Sequence, residues 1–271
     1  MRAISYLAPQ MFPVYQAICE TISKTLREPV ELIQARFDPM DDPSLPSGDF
    51  DFAFICGLPL ARLTRMGVRL EALVAPVMEF SRYGDMSIYF ADFIVPQHST
   101  SYTLSDLFGK RLAVNDLNSN SGYHLPRYHL LHQGFTSNFF GEVVLTGAHS
   151  ASIEWVAEGR ADCAAIDSTV LDHTERIAPD LARKIRVIGS TESCAVPPLA
   201  MNSRHYGLRR WLQNALAKPD EKLCAIFAAA GIRRLAPTHN IFYHDLAKRL
   251  DFTNREGYTL AKKILSPSLT P

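Results

Sequence analysis

Apolar and polar positions along the 271-residue chain alternate between short β-branched or aromatic runs and longer stretches with apolar residues every three or four. The pattern predicts strands at residues 2–7 and 30–34 on either side of a helix at 12–26. A Pro-, Asp- and Ser-rich loop at 39–49 follows, then strands at 50–55, 70–77 and 87–95. After a polar stretch at 96–105 a second series begins. It places a strand at 111–115, a polar turn at 116–120 and a helix at 121–132. A strand at 142–146 and a helix at 150–158 closed by Gly159 come next. A strand at 161–166, a helix running through Glu175 and a strand at 184–188 complete the series. The remainder reads as mostly helical, at 208–216, 221–230 and 243–250. Strands alternating with helices in this way indicate α/β architecture.

Three strands of the middle block end at Asn115, Thr146 and Ile166. Just past those ends stand Ser119 to Ser121, then His149, then Asp167 with Ser168. Parallel strands joined by right-handed crossovers put all three following loops at one sheet edge, where ligands of open α/β sheets bind. The spacing therefore gathers hydroxyls, an imidazole, a carboxylate and helix N–H groups in one place.

The run Asn118-Ser119-Asn120-Ser121-Gly122-Tyr123-His124-Leu125-Pro126 is the most informative. A proline is tolerated only in a first helical turn, so this helix cannot begin much before Ser121. Ser119, Asn120 and Ser121 then occupy the cap, Gly122 permits close approach, and the first N–H groups form an anion site. An ordinary capped helix gives the same pattern. His149 suits an oxyanion as a donor, although a lone histidine can equally be structural. Asp167 either caps the next helix or accepts a hydrogen from a protonated ligand oxygen. His124, His129 and His132 share a helix without an acidic or thiol partner at matching spacing, so no metal site is expected. Cys56 lacks an identifiable base, and phosphate-loop, dinucleotide and hydrolase signatures are missing.

Composition narrows the classes. Lys and Arg number 28 against 28 Asp and Glu, so the chain has no basic field for nucleic acid or an anionic membrane. Five widely spaced cysteines without a CxxC pair suggest reduced thiols rather than a disulfide framework or zinc ribbon. No apolar run reaches the ~18 residues of a membrane span, and residues 1–13 do not read as a signal peptide. The expectation is a cytoplasmic protein, or a periplasmic one whose leader has been removed, with no cofactor and no membrane insertion.

The ordered motifs resemble one family. They are Ala113-Val114-Asn115, Ser119-Asn120-Ser121-Gly122, Thr146 to Ser152, Val156 to Asp162, and Ala164-Ala165-Ile166-Asp167. Weaker echoes are Asp51 to Phe54, Cys56-Gly57-Leu58-Pro59, Tyr89 and Pro197-Pro198. Together they resemble the substrate-binding proteins of phosphate, phosphite and phosphonate ABC transporters, of the PhnD-like type. The resemblance implies a type II periplasmic-binding-protein fold: two α/β lobes, 1–93 with 189–271 and 94–188, joined by two crossing strands near 89–95 and 188–199. It implies a small oxyanion held in an interlobe cleft by Ser119, Asn120, Ser121, Gly122 and His149, with Asp167 for selectivity, and an ABC permease as partner. Tyr6, Cys56, Gly57 and Tyr89 are further candidate contacts from strand ends. The family usually carries threonine where Asn120 stands. Thr169 replaces the glutamate that clamps the amine of aminoalkylphosphonates, which argues against that ligand class.

Two alternatives stay open on the residues alone. One is an enzyme of the same fold acting on a carboxylate-bearing substrate, as cytosolic menaquinone-pathway proteins do, with His149 or Asp167 as acid or base. The other is a cytosolic ligand sensor acting through protein partners.

Overall fold

The computed structural model describes residues 1–266. Its strands in chain order begin with β1 (Arg2–Ser5), β2 (Glu31–Gln34), β3 (Phe52–Phe54), β4 (Leu70–Met78) and β5 (Ile88–Tyr89). They continue with β6 (Ala91–Pro96), β7 (Arg111–Val114), β8 (Glu142–Leu145), β9 (Cys163–Asp167) and β10 (Ile185–Ser190). The last four are β11 (Cys194–Ala195), β12 (Leu199–Asn202), β13 (Ile232–Pro237) and β14 (Ile264–Leu265). The chain forms two compact units: Met1–Ile88 with Ala195–Ala247, and Tyr89–Cys194 with the described residues that follow Ala247.

The first unit is built on a six-stranded sheet in the order β13-β4-β12-β3-β1-β2. β1 runs parallel to β2 and β3, whereas β12 is antiparallel to both β3 and β4. The helix Phe12–Leu26 has proline in its first turn, buries Val14, Ala17, Ile18, Cys19 and Ile22, and stops where Arg27 turns left-handed at φ 55°. That proline costs nothing, because a first-turn N–H has no intrahelical partner.

Three features here depart from the sequence expectation. Cys56-Gly57-Leu58-Pro59 does not merely end a strand but opens the helix Gly57–Arg65, with Pro59 tolerated in its first turn. The three helices expected in the tail are present, at Arg209–Leu216, Glu221–Ala229 and His244–Arg255, but the unexpected strands β12 and β13 also belong to this sheet. In β13 the strand period is hidden by the consecutive Arg233 and Arg234 and by a register shift between Ile232 and Arg234. A short helix, Ser44–Ser47, also lies within the expected loop 39–49.

The second unit carries the order β10-β6-β9-β7-β8-β14. β9, β7 and β8 are adjacent and parallel, and β6 is antiparallel to β9 and β10. Residues of alternate parity along these strands feed two cores: Phe93, Leu112, Val114, Val143 and Cys163 in one, Ile94, Ala113, Val144, Ala164 and Ile166 in the other. The single strand expected at 87–95 is broken at Phe90 into β5 and β6.

The C-terminal segment, expected with the first lobe, packs in the second unit. Tyr258, Leu260 and Ala261 join the cluster of Leu112 and Leu130, and β14 extends the sheet beside β8. The chain accordingly passes between the units three times, the third time within the helix His244–Arg255, rather than by two crossing strands alone. Among the described residues no helix is long and apolar enough to cross a membrane.

Candidate functional site

The carboxyl ends of β9, β7 and β8 lie side by side, and each opens into a polar loop. Past β7, Ser119 is extended and caps the following turn: its Oγ accepts from the Gly122 N–H at 3.0 Å. The N–H groups of Tyr123 and His124 both reach the Ser119 carbonyl, at 3.2 and 3.0 Å. Asn120–His124 is a single widened π turn, and the α-helix proper begins only at Leu125. Pro126 accounts for the widening, because it has no N–H to give and its ring would meet the carbonyl of Gly122 in a regular helix. The N–H groups of Asn120 and Ser121 come first in this turn and so have no helical carbonyl behind them.

Past β8, the Thr146 N–H bonds the Val114 carbonyl at 2.8 Å and the Gly147 N–H bonds Asn115 at 3.0 Å. Gly147, at φ 86°, then turns the chain into the helix His149–Ala157. Its first residue reaches back across the sheet edge, and His149 Nε2 stands 3.0 Å from the Oγ of the buried Ser121. Burial draws the imidazole down to about 4, so the ring is neutral near pH 7. Its Nδ1 is shut from solvent without a hydrogen-bond partner among the described residues. The sequence placed hydroxyl, imidazole and turn around one point, and the structure brings Ser121 and His149 into contact there. Neutral donors converging in this way suit an oxyanion bound through hydrogen bonds rather than through a full positive charge.

Past β9, Asp167 does cap its helix: its carboxylate accepts from the N–H and Oγ1 of Thr169, at 2.8 and 2.7 Å. Burial pushes this carboxyl up to about 6, and Asp92 on β6 adds repulsion. The next residue, Ser168, accepts from the Phe90 N–H at 3.0 Å and fastens β9 to the start of β6.

The Asn120 side chain is bonded within the second unit. It is buried, and its Nδ2 donates to the Tyr89 hydroxyl at 2.8 Å and to Cys194 Sγ at 3.6 Å. Two expected ligand contacts, Asn120 and Tyr89, are thus bonded to one another. Gly122 is a packing requirement, since a Cβ there would lie 1.8 Å from Asn115 Oδ1.

The remaining candidates sit in the first unit. Tyr6 donates to Asp42 Oδ2 at 2.8 Å, and burial together with that carboxylate raises its phenol pKa. Cys56 is the residue before the helix Gly57–Arg65. Gly57, expected as a contact, is buried where a Cβ would come within 2.5 Å of Tyr243 and 2.9 Å of Leu246, so close packing explains it. Among the described residues no group of three or more His, Cys, Asp or Glu is placed to hold a metal.

The family model for periplasmic substrate-binding proteins of phosphonate ABC transporters matches residues 4–243. By sequence the chain matches none of the curated proteins. Among solved structures, PhnD1 of Prochlorococcus marinus in complex with methylphosphonate is similar at TM-score 0.79 and 15% identity, over 94% of this chain and 98% of that one. A binding-protein component of an ABC phosphonate transporter from Pseudomonas aeruginosa gives 0.78 and 15%, over 95% and 87%. A Xanthomonas citri protein bound to chloride gives 0.74 and 16%, over 94% and 99%. These likenesses establish the type II periplasmic-binding-protein fold. The matched family works by binding rather than turnover, which sets the enzyme alternative aside, and its periplasmic description does not support a cytoplasmic assignment. The chain belongs to the phosphonate ABC transporter family of periplasmic substrate-binding proteins.

Proposed function

We propose that this chain binds a small tetrahedral oxyanion (phosphate, phosphite or a short alkylphosphonate) and delivers it, from the periplasm, to an ABC permease. The observation that carries this reading is the 3.0 Å pairing of Ser121 with His149 beside the first N–H groups of the Asn120–His124 turn. Ser119 keeps the turn in shape, Ser121 and His149 meet the oxyanion, and Asp167 favours a ligand that still carries a proton. Thr169 spends its hydroxyl on Asp167 and carries no charge for an amine, so aminoalkylphosphonates are poor ligands.

Isothermal titration with phosphate, phosphite and methylphosphonate tests the reading. A saturable heat with at least one of the three is expected. No heat with any of them overturns it.

A further inference from the structure

Arg127 is a buried cation with no part in the site as described. It stands on the helix directly behind the ligand turn and is 7% exposed. Its Nε and Nη2 donate to the Tyr258 carbonyl at 3.2 and 2.7 Å, and both Nη atoms reach Asn254 Oδ1 at 3.3 Å. On its other side Nη1 lies 3.4 Å from His124 Nδ1, and the guanidinium covers the Tyr123 ring at 5.3 Å. One planar fork therefore grips the last two residues of the ligand turn and two residues of the C-terminal segment.

Asn254 and Tyr258 lie beyond residue 243, where the family match ends. The segment that holds them is integral to the second unit. The N–H groups of Asn138, Phe140 and Val143 donate to the carbonyls of Thr259, Leu260 and Lys263 at 2.8, 2.9 and 2.9 Å. Tyr258 and Leu260 are buried in its core. The Tyr258 carbonyl is consequently a fixed point.

We propose that Arg127 is a positioning residue for ligand binding, hanging Tyr123 and His124 on the Tyr258 carbonyl and the Asn254 amide so that the C-terminal segment sets the shape of the turn. The chain of cause is short. The Tyr123 and His124 N–H groups both bond the Ser119 carbonyl, so holding these two residues holds the cap from which Ser121 projects. Burying a guanidinium is costly unless its donors are met, and here carbonyl oxygens meet them. Lysine, whose three donors all leave one nitrogen, cannot span both partners as the planar fork does. The proposal rests on the preceding reading of the turn as the ligand site.

The test uses the full chain with Arg127→Ala, Arg127→Lys and Asn254→Ala, and two readouts. Without ligand, amide hydrogen exchange is followed at Gly122, Tyr123 and His124 and, as an internal reference, at Leu112, Ala113 and Val114. In Arg127→Ala, exchange at the turn is expected to quicken about tenfold or more while the reference amides keep their wild-type rates. Millimolar methylguanidinium restores slow exchange in Arg127→Ala but not in Arg127→Lys. Methylphosphonate affinity falls about tenfold in parallel. Should Arg127→Ala fail to fold, Asn254→Ala carries the same comparison with a smaller change. Unchanged exchange at the turn, or equal quickening of turn and reference amides, overturns the proposal. A wild-type chain that binds no oxyanion but shows the selective exchange effect defeats the ligand reading and leaves the brace standing.

Discussion

Ser121 Oγ and His149 Nε2 meet at 3.0 Å although each begins a different helix; what joins them is the parallel pairing of β7 with β8, which sets their helix starts side by side. With Nε2–H donating to Oγ, the pair leaves the Ser121 hydroxyl free to donate outward. Removing the hydroxyl deletes one bond to a charged ligand, worth ~1.5–3 kcal/mol, or about 10- to 150-fold in affinity. Ser121→Ala should weaken methylphosphonate binding by that factor in calorimetry. An unchanged dissociation constant would remove Ser121 from the site.

Two buried groups at this edge respond to acid in opposite senses. His149 is held neutral down to about 4 against an ordinary 6.5, so between those values the unfolded chain takes up a proton that the folded chain refuses. Acid thereby destabilises through His149. Asp167 is pushed up to about 6 from 3.8, so in that window the folded chain keeps a proton the unfolded chain has released, and acid stabilises. Each effect is about 3 kcal/mol, and in the wild type they largely cancel. His149→Asn should therefore gain stability as pH falls from 6 to 4, and Asp167→Asn should lose it from 6.5 to 4. Urea melts across this range decide the matter; profiles that superimpose on the wild type would refute it.

Gly122 has no room for a methyl group. Its Cβ would sit 1.8 Å from Asn115 Oδ1 and 3.1 Å from Ser119 Oγ, the atom that caps the turn. Gly122→Ala should lower methylphosphonate affinity more than tenfold by displacing the cap. The double variant with Asn115→Ala, which opens the space, should recover part of the loss. If the single variant binds like wild type, the turn does not depend on this contact.

In the first unit, Asp51 carries the ion cluster at the start of β1. Burial opposes its charge, but Arg204, the Arg2 N–H and His205 together hold the carboxyl down to about 2. The stabilisation is present above about 3.8 and is lost as pH falls toward 2. With Arg204 half exposed to solvent, Asp51→Asn should cost about 1–2 kcal/mol at pH 7 and much less at pH 2.5. Equal losses at both values would show that the charge is not what matters.

Much of this was legible in the sequence for identifiable reasons. The helix Phe12–Leu26 announces itself by a proline in its first turn and a clean apolar stripe. The meeting of Ser121 and His149 follows from strand ends and crossover handedness, which are local signals. The side-chain partners of Asn120, Tyr89 and Cys194, come from distant parts of the chain, and no local pattern announces such bonds. β13 was missed because paired arginines and a register shift erase its alternation. The C-terminal segment was misplaced for a different reason. Its pairing with β8 depends on a free sheet edge that only the assembled second unit provides.

The position of β12 in the first sheet has a consequence for biosynthesis. It lies between β3 and β4, which make no ladder with each other, so the sheet stays open down its middle until residues 199–202 have been made. By then β5 to β11 have already been synthesised. The early strands must wait with bare backbone edges, the condition under which nascent chains pair wrongly with their neighbours. Chaperone demand during synthesis should fall on the first unit, and a circular permutant opened just before β12, which makes β12 ahead of β1 to β4, should relieve it.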